Sequence, residues 1–120
     1  MKSQIQDIAF VLYPVSDMAK ARAFYTNLLG LEETANWEDQ WIEYDLGNGT
    51  LAITTAQPGT QPGTGAYAAF EVKEFDAVAA FLKEKKIPWT MEPFDTPVCR
   101  GGIIKDVDGN QIMIHQRKSK

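Results

Sequence analysis

One cysteine, Cys99, and one histidine, His115, stand among 120 residues. A single thiol excludes a disulfide framework and a structural zinc site built from cysteines. With 44% hydrophobic residues the chain builds a core without either. No stretch approaches the roughly 20 apolar residues of a membrane span. The N-terminus, Met1 to Asp7, shows no apolar run of the kind that marks a signal peptide. These absences make a cytoplasmic protein with no membrane partner the expectation. Basic charge is also short. The net charge is −4, and Arg117, Lys118 and Lys120 contribute +3, so the rest of the chain carries −4 − 3 = −7. Phosphate binding needs a basic face, so nucleic acid is not the expected partner. An acidic body suits a cationic small molecule, and it also serves plain solubility.

What the chain does have is a repeat. Shifted by 57, Phe10 falls on Tyr67, Val15 on Val72, Asp17 on Glu74 and Phe24 on Phe81. Shifted by 61, the run Asp45-Leu-Gly-Asn-Gly falls on Asp106-Val-Asp-Gly-Asn, and Ala52 falls on Met113. The pattern is one domain, residues 1–120, made of a first repeat at about 5–56, a linker at 57–65 and a second repeat at about 66–116.

Residues Ile5 to Tyr13 read as a strand apolar on both faces, with Ile8, Phe10 and Leu12 on one and Ala9, Val11 and Tyr13 on the other. Asp17 suits a helix N-cap. Met18, Ala21, Tyr25 and Leu28 follow helical spacing, and Gly30 suits a left-handed cap. Trp41–Leu46 and Thr50–Thr55 form a hairpin about Gly47-Asn48-Gly49. The order then recurs: strand Ala66–Val72, helix Phe75–Lys85, a loop through Pro93–Pro97 that accounts for the slip from 57 to 61, and a hairpin of Gly102–Asp106 with Gln111–Gln116. A short extra strand is expected near Trp89–Met91. Each half is βαβββ or close to it. A half of about 55 residues buries a sheet face poorly alone. The expected class is therefore α+β: two βαβββ repeats forming a curved mixed sheet around a cleft, helices on the outer face.

The runs Val15-Ser16-Asp17, Ala23-Phe24-Tyr25 and Leu28-Leu29-Gly30-Leu31, with Ala69-Phe70-Glu71-Val72 and Asp106-Val-Asp-Gly-Asn110, resemble the vicinal oxygen chelate superfamily. That group includes glyoxalase I, extradiol dioxygenases and bleomycin-resistance proteins. The resemblance spans nearly the whole chain, but its motifs are turn, helix and core residues. In metal-binding members it implies ligands at the positions held here by Phe10, Tyr67 and Met113, with Ala52 as the repeat partner of Met113. None is a usual ligand for a divalent ion; only the Tyr67 oxygen offers a weak one. Glu43, Glu71 and His115 are the substitutes to weigh. At about 3.3 Å rise per residue, Glu71 lies ~13 Å from Tyr67 and His115 ~7 Å from Met113. An ion needs its ligands within about 2.5 Å. A rebuilt site would lie off-centre, and no metal or other cofactor is expected.

The hydrophobic alternation sends Ile42, Tyr44, Leu46, Leu51 and Ile53 toward the helices. Trp41, Glu43, Ala52 and Thr54 then face the cleft, joined by Phe10, Leu12, Tyr67, Ala69, Met113 and His115. Phe10, Tyr67 and Met113 are either an apolar pocket floor or plain core filling. The run Trp37 to Trp41 offers two indoles beside carboxylates for an aromatic or cationic ligand, or is only a solvated loop leading into a strand. His115 is an acid–base candidate without an obvious partner, or a half-exposed polar residue. Arg100 is a contact for an anionic group at the cleft mouth, or a solvated arginine; Cys99 reads as an ordinary loop cysteine. Lys83 to Lys86 reads as a solvated helix end.

The expected ligand contacts are therefore Phe10, Leu12, Trp41, Glu43, Thr54, Tyr67, Arg100, Met113 and His115, with no catalytic residue among them. Three functions follow from the residues and the resemblance: a metal-free protein that sequesters or senses a small molecule, a lyase or dioxygenase with an unusual metal site, or an assembly module without a ligand. Exposed sheet edges favour a homodimer.

Overall fold

The computed structural model describes residues 3, 4, 6, 8–56, 62, 63 and 67–118. The start of the first expected strand at Ile5 and Asp7, most of the 57–65 linker, and Ala66 lie outside the described residues. The chain forms two compact units, Met1–Pro62 and Gly63–Lys120. The first contains β1 (Val11–Pro14), α1 (Met18–Arg22) continued by a π-helical segment (Ala23–Leu28), β2 (Glu33–Trp37), β3 (Trp41–Asp45) and β4 (Thr50–Thr54). The second contains β5 (Ala68–Glu71), α2 (Phe75–Glu84), β6 (Met91–Asp95), β7 (Cys99–Lys105) and β8 (Gln111–Arg117).

Both sheets have one topology, β1-β4-β3-β2 and β5-β8-β7-β6. The first strand of each unit pairs in parallel with the last, and the remaining pairs are antiparallel. This is an α+β fold of two βαβββ units.

The offset between copies grows along the chain. It is 57 at the first strand (68 − 11), 58 at the second (91 − 33), 60 at the third (103 − 43, by ladder register) and 61 at the fourth (113 − 52). The extra residues are thus spread over several turns and not gathered at Pro93–Pro97. The expected loop there contains β6, and the expected entry to Trp41 contains β2. Both are edge strands with a register irregularity, between Glu33 and Ala35 and between Met91 and Phe94. Pro93, which lacks an N–H, is tolerated in such a position. The first strand is shorter than expected: it begins at Val11, and Ile8 is 81% exposed.

In the first unit the helix-side face of the sheet is set by contact. Tyr25 of the π-helical segment lies 6.3 Å from Tyr13 and 6.2 Å from Tyr44, centroid to centroid. Ile42, Tyr44, Leu51 and Ile53 pair across β3 and β4 and are buried with Tyr13. Leu46 lies beyond the strand and is exposed, contrary to expectation. The wider turns bring the adjacent residues Phe24 and Tyr25 into the core together, edge to face at 5.1 Å. The Asp17 carboxylate accepts from the Lys20 amide, as an N-cap should, and Gly30 takes φ +73°.

A polar network ties this helix to the sheet. Arg22 donates through Nε and Nη2 to the two oxygens of Glu33, both at 2.8 Å. Thr26 Oγ1 donates to Glu33 at 2.7 Å and lies 2.8 Å from the Tyr44 hydroxyl. Two parallel charge-assisted bonds are stronger and more directional than neutral ones. The Arg22 bonds hold the Glu33 carboxyl below the usual carboxylate range, against partial burial that pushes it up.

In the second unit, Trp89 stacks on Phe75 at 5.7 Å and 9°. A Cβ placed on Gly102 would come within 2.7 Å of the Trp89 ring, so glycine there is what lets the indole lie on the sheet. Gln116 of β8 accepts the Phe75 amide at 2.7 Å, and it caps α2 where Glu74 does not. In the last hairpin, buried Asp106 accepts from the amides of Asp108 and Asn110 and from the Asn110 side chain. The repeated Asp-Gly-Asn signature is therefore turn chemistry.

Two outcomes follow. Glu33→Gln lowers unfolding free energy by about 1–2 kcal/mol in chemical denaturation at neutral pH. Because Glu33 has a depressed folded-state value, its contribution is complete above the unfolded value of 4.5 and is lost as pH falls through the lower folded value. The variant's stability therefore falls less steeply with acid than the parent's; equal acid limbs would refute the network. Gly102→Ala, by pushing on the Trp89 ring stacked on Phe75, destabilises by about 1–3 kcal/mol. Unchanged stability would show that the indole moves freely.

Candidate functional site

In each unit the face of the sheet away from the helix gathers the residues expected to contact a ligand. In the first unit, Leu12, Ala52 and Glu43 sit side by side across β1, β4 and β3. Trp41 pairs with Thr54 one step on. Phe10 stands just ahead of β1, 41% exposed, with its ring edge-on to Trp41 at 5.6 Å and 84°. The Trp41 indole N–H donates to Glu43 Oε2 at 3.0 Å. Phe10, Trp41 and Glu43 thus form one cluster of two rings and a carboxylate. Thr54 is on this face but closed off: it is buried, donates to the Gln40 carbonyl at 2.8 Å and accepts from the Ala56 amide at 2.9 Å.

Trp37 does not join the cluster. It is 56% exposed at the end of β2, opposite Trp41 across a tight hairpin. The hairpin turns through Glu38 and Asp39, both at positive φ near 55°. The expected loop at Trp37–Trp41 is this turn. Asn36 and Arg22 both bond Asp39 and fix it.

In the second unit, Ala69 pairs with Met113, and Met113 with Ile103. Tyr67 stands ahead of β5 as Phe10 does ahead of β1, and its exposure is 43%. His115 has a partner after all. It pairs with Glu71 across β5 and β8, and Nδ1 lies 2.7 Å from Glu71 Oε1. The other oxygen, Oε2, accepts the Arg117 amide at 2.7 Å. That amide bond first, and then His115, holds the Glu71 carboxyl below its ordinary range. The two residues are 44 apart in sequence, and only the parallel pairing of first and last strands brings them together. The Phe94 ring covers Gly101 on the same face, where a Cβ would sit 2.6 Å from the ring.

Arg100 is elsewhere. It alternates with Gly101 and so points to the helix side, with its guanidinium 4.7 Å from the Phe75 ring centroid and Nη2 2.9 Å from Asp76 Oδ1. The expectation of an anion contact at the cleft mouth is corrected: strand alternation turns Arg100 to the helix side, where it pairs with Asp76. Cys99 begins β7 and is not in a loop; Thr96 accepts its amide at 3.1 Å.

The family model described as Glyoxalase/Bleomycin resistance protein/Dioxygenase superfamily matches residues 7–114. The chain belongs to this superfamily. No curated protein matches it. Among solved structures, TnmS3, an antibiotic binding protein from Streptomyces sp. CB03234, is 26% identical with a TM-score of 0.82, over 96% of this chain and 98% of that one. A glyoxalase/bleomycin resistance protein from the same organism is 28% identical with a TM-score of 0.77, over 92% and 100%. A glyoxalase family protein from Bacillus anthracis is 25% identical with a TM-score of 0.81, over 98% and 100%.

Metal-binding members of this superfamily raise the question of an ion. The positions at which the resemblance implies ligands are Phe10, Ala52, Tyr67 and Met113. Phe10 packs on Trp41, Ala52 is buried without a donor atom, and Met113 lies between Ala69 and Ile103 in the ladder. Among the described residues, no three histidine, cysteine, aspartate or glutamate side chains come close enough to hold an ion together. Glu71 and His115 supply two donors without a third. These residues do not fit a divalent cation. Among the described residues no helix is long and apolar enough to cross a membrane.

The Glu71 carboxyl is expected to titrate below 4.5, the value of an unperturbed glutamate, when followed by carbon NMR of the side chain. A midpoint at or above that value would show that the bonds to the Arg117 amide and His115 do not form in solution.

Proposed function

We propose that this protein binds a small aromatic or cationic molecule without a metal ion and sequesters or senses it without changing its bonds. The observation that carries the reading is the cluster of carbon-rich side chains on the helix-free faces, at positions where the resemblance implies ligands. Phe10 and Trp41 offer rings at right angles, with Glu43 bonded to the indole. Such a cluster attracts a flat molecule by ring contact, and a positive one by cation–π and carboxylate attraction. Tyr67 and Met113 offer an apolar surface on the second unit, and methionine adapts its shape to a ligand. The relative TnmS3 is named as an antibiotic binding protein, which favours a small-molecule ligand here.

The reading extends to a cytoplasmic protein and to a homodimer; for the dimer, β2 and β6 end their sheets among the described residues, and a two-fold partner covers such edges. Sedimentation velocity tests that part: a single monomer species at all concentrations would contradict it.

One observation favours a second reading, an enzyme. A histidine oriented by a carboxylate, as His115 is by Glu71, is the arrangement of an acid–base residue. In that case His115→Gln abolishes a turnover that Phe10→Ala only weakens.

A thermal-shift screen of cationic aromatic compounds, followed by isothermal titration, tests the main reading. A binder present at 100 times its Kd adds about 2.7 kcal/mol of stability, a shift of several degrees. Phe10→Ala and Glu43→Gln should each weaken the best binder roughly tenfold by removing one ring or one charge. A screen without a hit, or binding indifferent to both substitutions, would contradict the reading and favour an assembly module.

A further inference from the structure

The two units differ where the helix meets the chain leading to the sheet edge. In the first unit this seam is plugged by Arg22, which reaches Glu33 with two bonds while Thr26 completes the network. With the helix offset of 57, Arg22 corresponds to Ala79 (22 + 57) and Thr26 to Lys83 (26 + 57). With the second-strand offset of 58, Glu33 corresponds to Met91 (33 + 58). The guanidinium, the hydroxyl and the carboxylate are all gone. In their place the second unit has an open groove of about 350 Å³, lined by Ala79, Ala80, Lys83, Ile87, Pro88 and Trp89.

The groove is within the size range of small-molecule sites. Its back wall is fixed. The Trp89 ring is stacked on Phe75, and its carbons lie where a Cβ on Gly102 would come within 2.7 Å. A held indole presents a flat apolar surface at little entropic cost. Two alanines on α2 leave the opposite wall low, so a flat molecule has room beside the indole. Lys83 is the one charged residue of the lining, and among the described residues its ammonium makes no ion pair. Lys85 and Lys86 follow at the helix end. Three lysines outweigh Glu84 and the roughly half negative charge of a helix C-terminus.

We propose that this groove is a second binding site, separate from the helix-free faces, for a flat apolar molecule carrying one anionic group. The ring lies against Trp89 over Ala79 and Ala80, and the anionic group pairs with Lys83. Its ligand has the opposite charge to the one proposed for the Phe10, Trp41 and Glu43 cluster, so the two sites are separable by experiment.

The test is isothermal titration of the full chain with 1-naphthalenesulfonate, a flat ring system with one negative charge. Saturable binding at one site per chain is expected. Lys83→Gln removes the charge from an exposed helix position and leaves the fold intact; it should weaken binding roughly tenfold. Ala79→Arg returns the bulky side chain of the first unit and should weaken it at least as much. Phe10→Ala, in the other unit, should leave the affinity unchanged. The proposal is overturned by the absence of saturable binding, by binding that survives either groove substitution unchanged, or by binding that Phe10→Ala removes. The last result would place the probe on the first unit's ring cluster and so bear on that reading instead.

Discussion

The parallel pairing of first and last strands in each unit fixes what every other side chain does. Val11 lies beside Leu51 and Ala68 beside Ile112. The helix between them is the crossover that such a pair requires, and it covers one face of the sheet. Side chains alternate along a strand, so this register decides which residues meet the helix and which do not. A slip of one residue would bury Leu12, Glu43 and Met113 and expose Ile42, Tyr44 and Ile112. The buried set is what prevents the slip. Tyr13, Tyr44, Ile42, Leu51 and Ile53 in one unit and Ile104, Ile112 and Ile114 in the other are nearly all solvent-free.

The proposed ligand contacts lie on the other face. There the two copies have kept equivalent places and changed their contents. Phe10 and Tyr67 stand ahead of their strands with nearly the same exposure, and Ala52 and Met113 share one register position. None of the four offers a good metal donor. The turn after the third strand is conserved in another way: Asp45 and Asp106 each accept the amide two residues on. The two copies share what the backbone needs and differ in the side chains around it. The helix seam, bonded in one copy and open in the other, belongs with these differences.

Much of this was legible in the residues. The offset of 57 placed the first strand and helix of both units, because helix spacing and the N-cap aspartate are local signals. The inward set of β3 and β4 followed from alternation alone. Edge strands were not legible. Glu33–Trp37 and Met91–Asp95 are mostly exposed, carry bulges and include a proline, so they show neither alternation nor an apolar run. The Glu71–His115 pair was hidden for a different reason: parallel pairing joins residues distant in sequence, and no spacing rule reports it. Arg100 was misplaced because two adjacent glycines gave no hydrophobic signal from which to count faces. Trp89 and Phe94, resting on those glycines, supply the answer only in three dimensions.

The central proposal is that the helix-free faces bind a small molecule on carbon surface and hold no ion. Elemental analysis of the protein purified without chelator tests this most directly, read beside its melting temperature with added zinc, nickel, manganese or iron(II). The account predicts metal far below one ion per chain and no stabilisation by any of the four. One tightly held ion per chain, lost together with stability when Tyr67 or His115 is replaced, would contradict it.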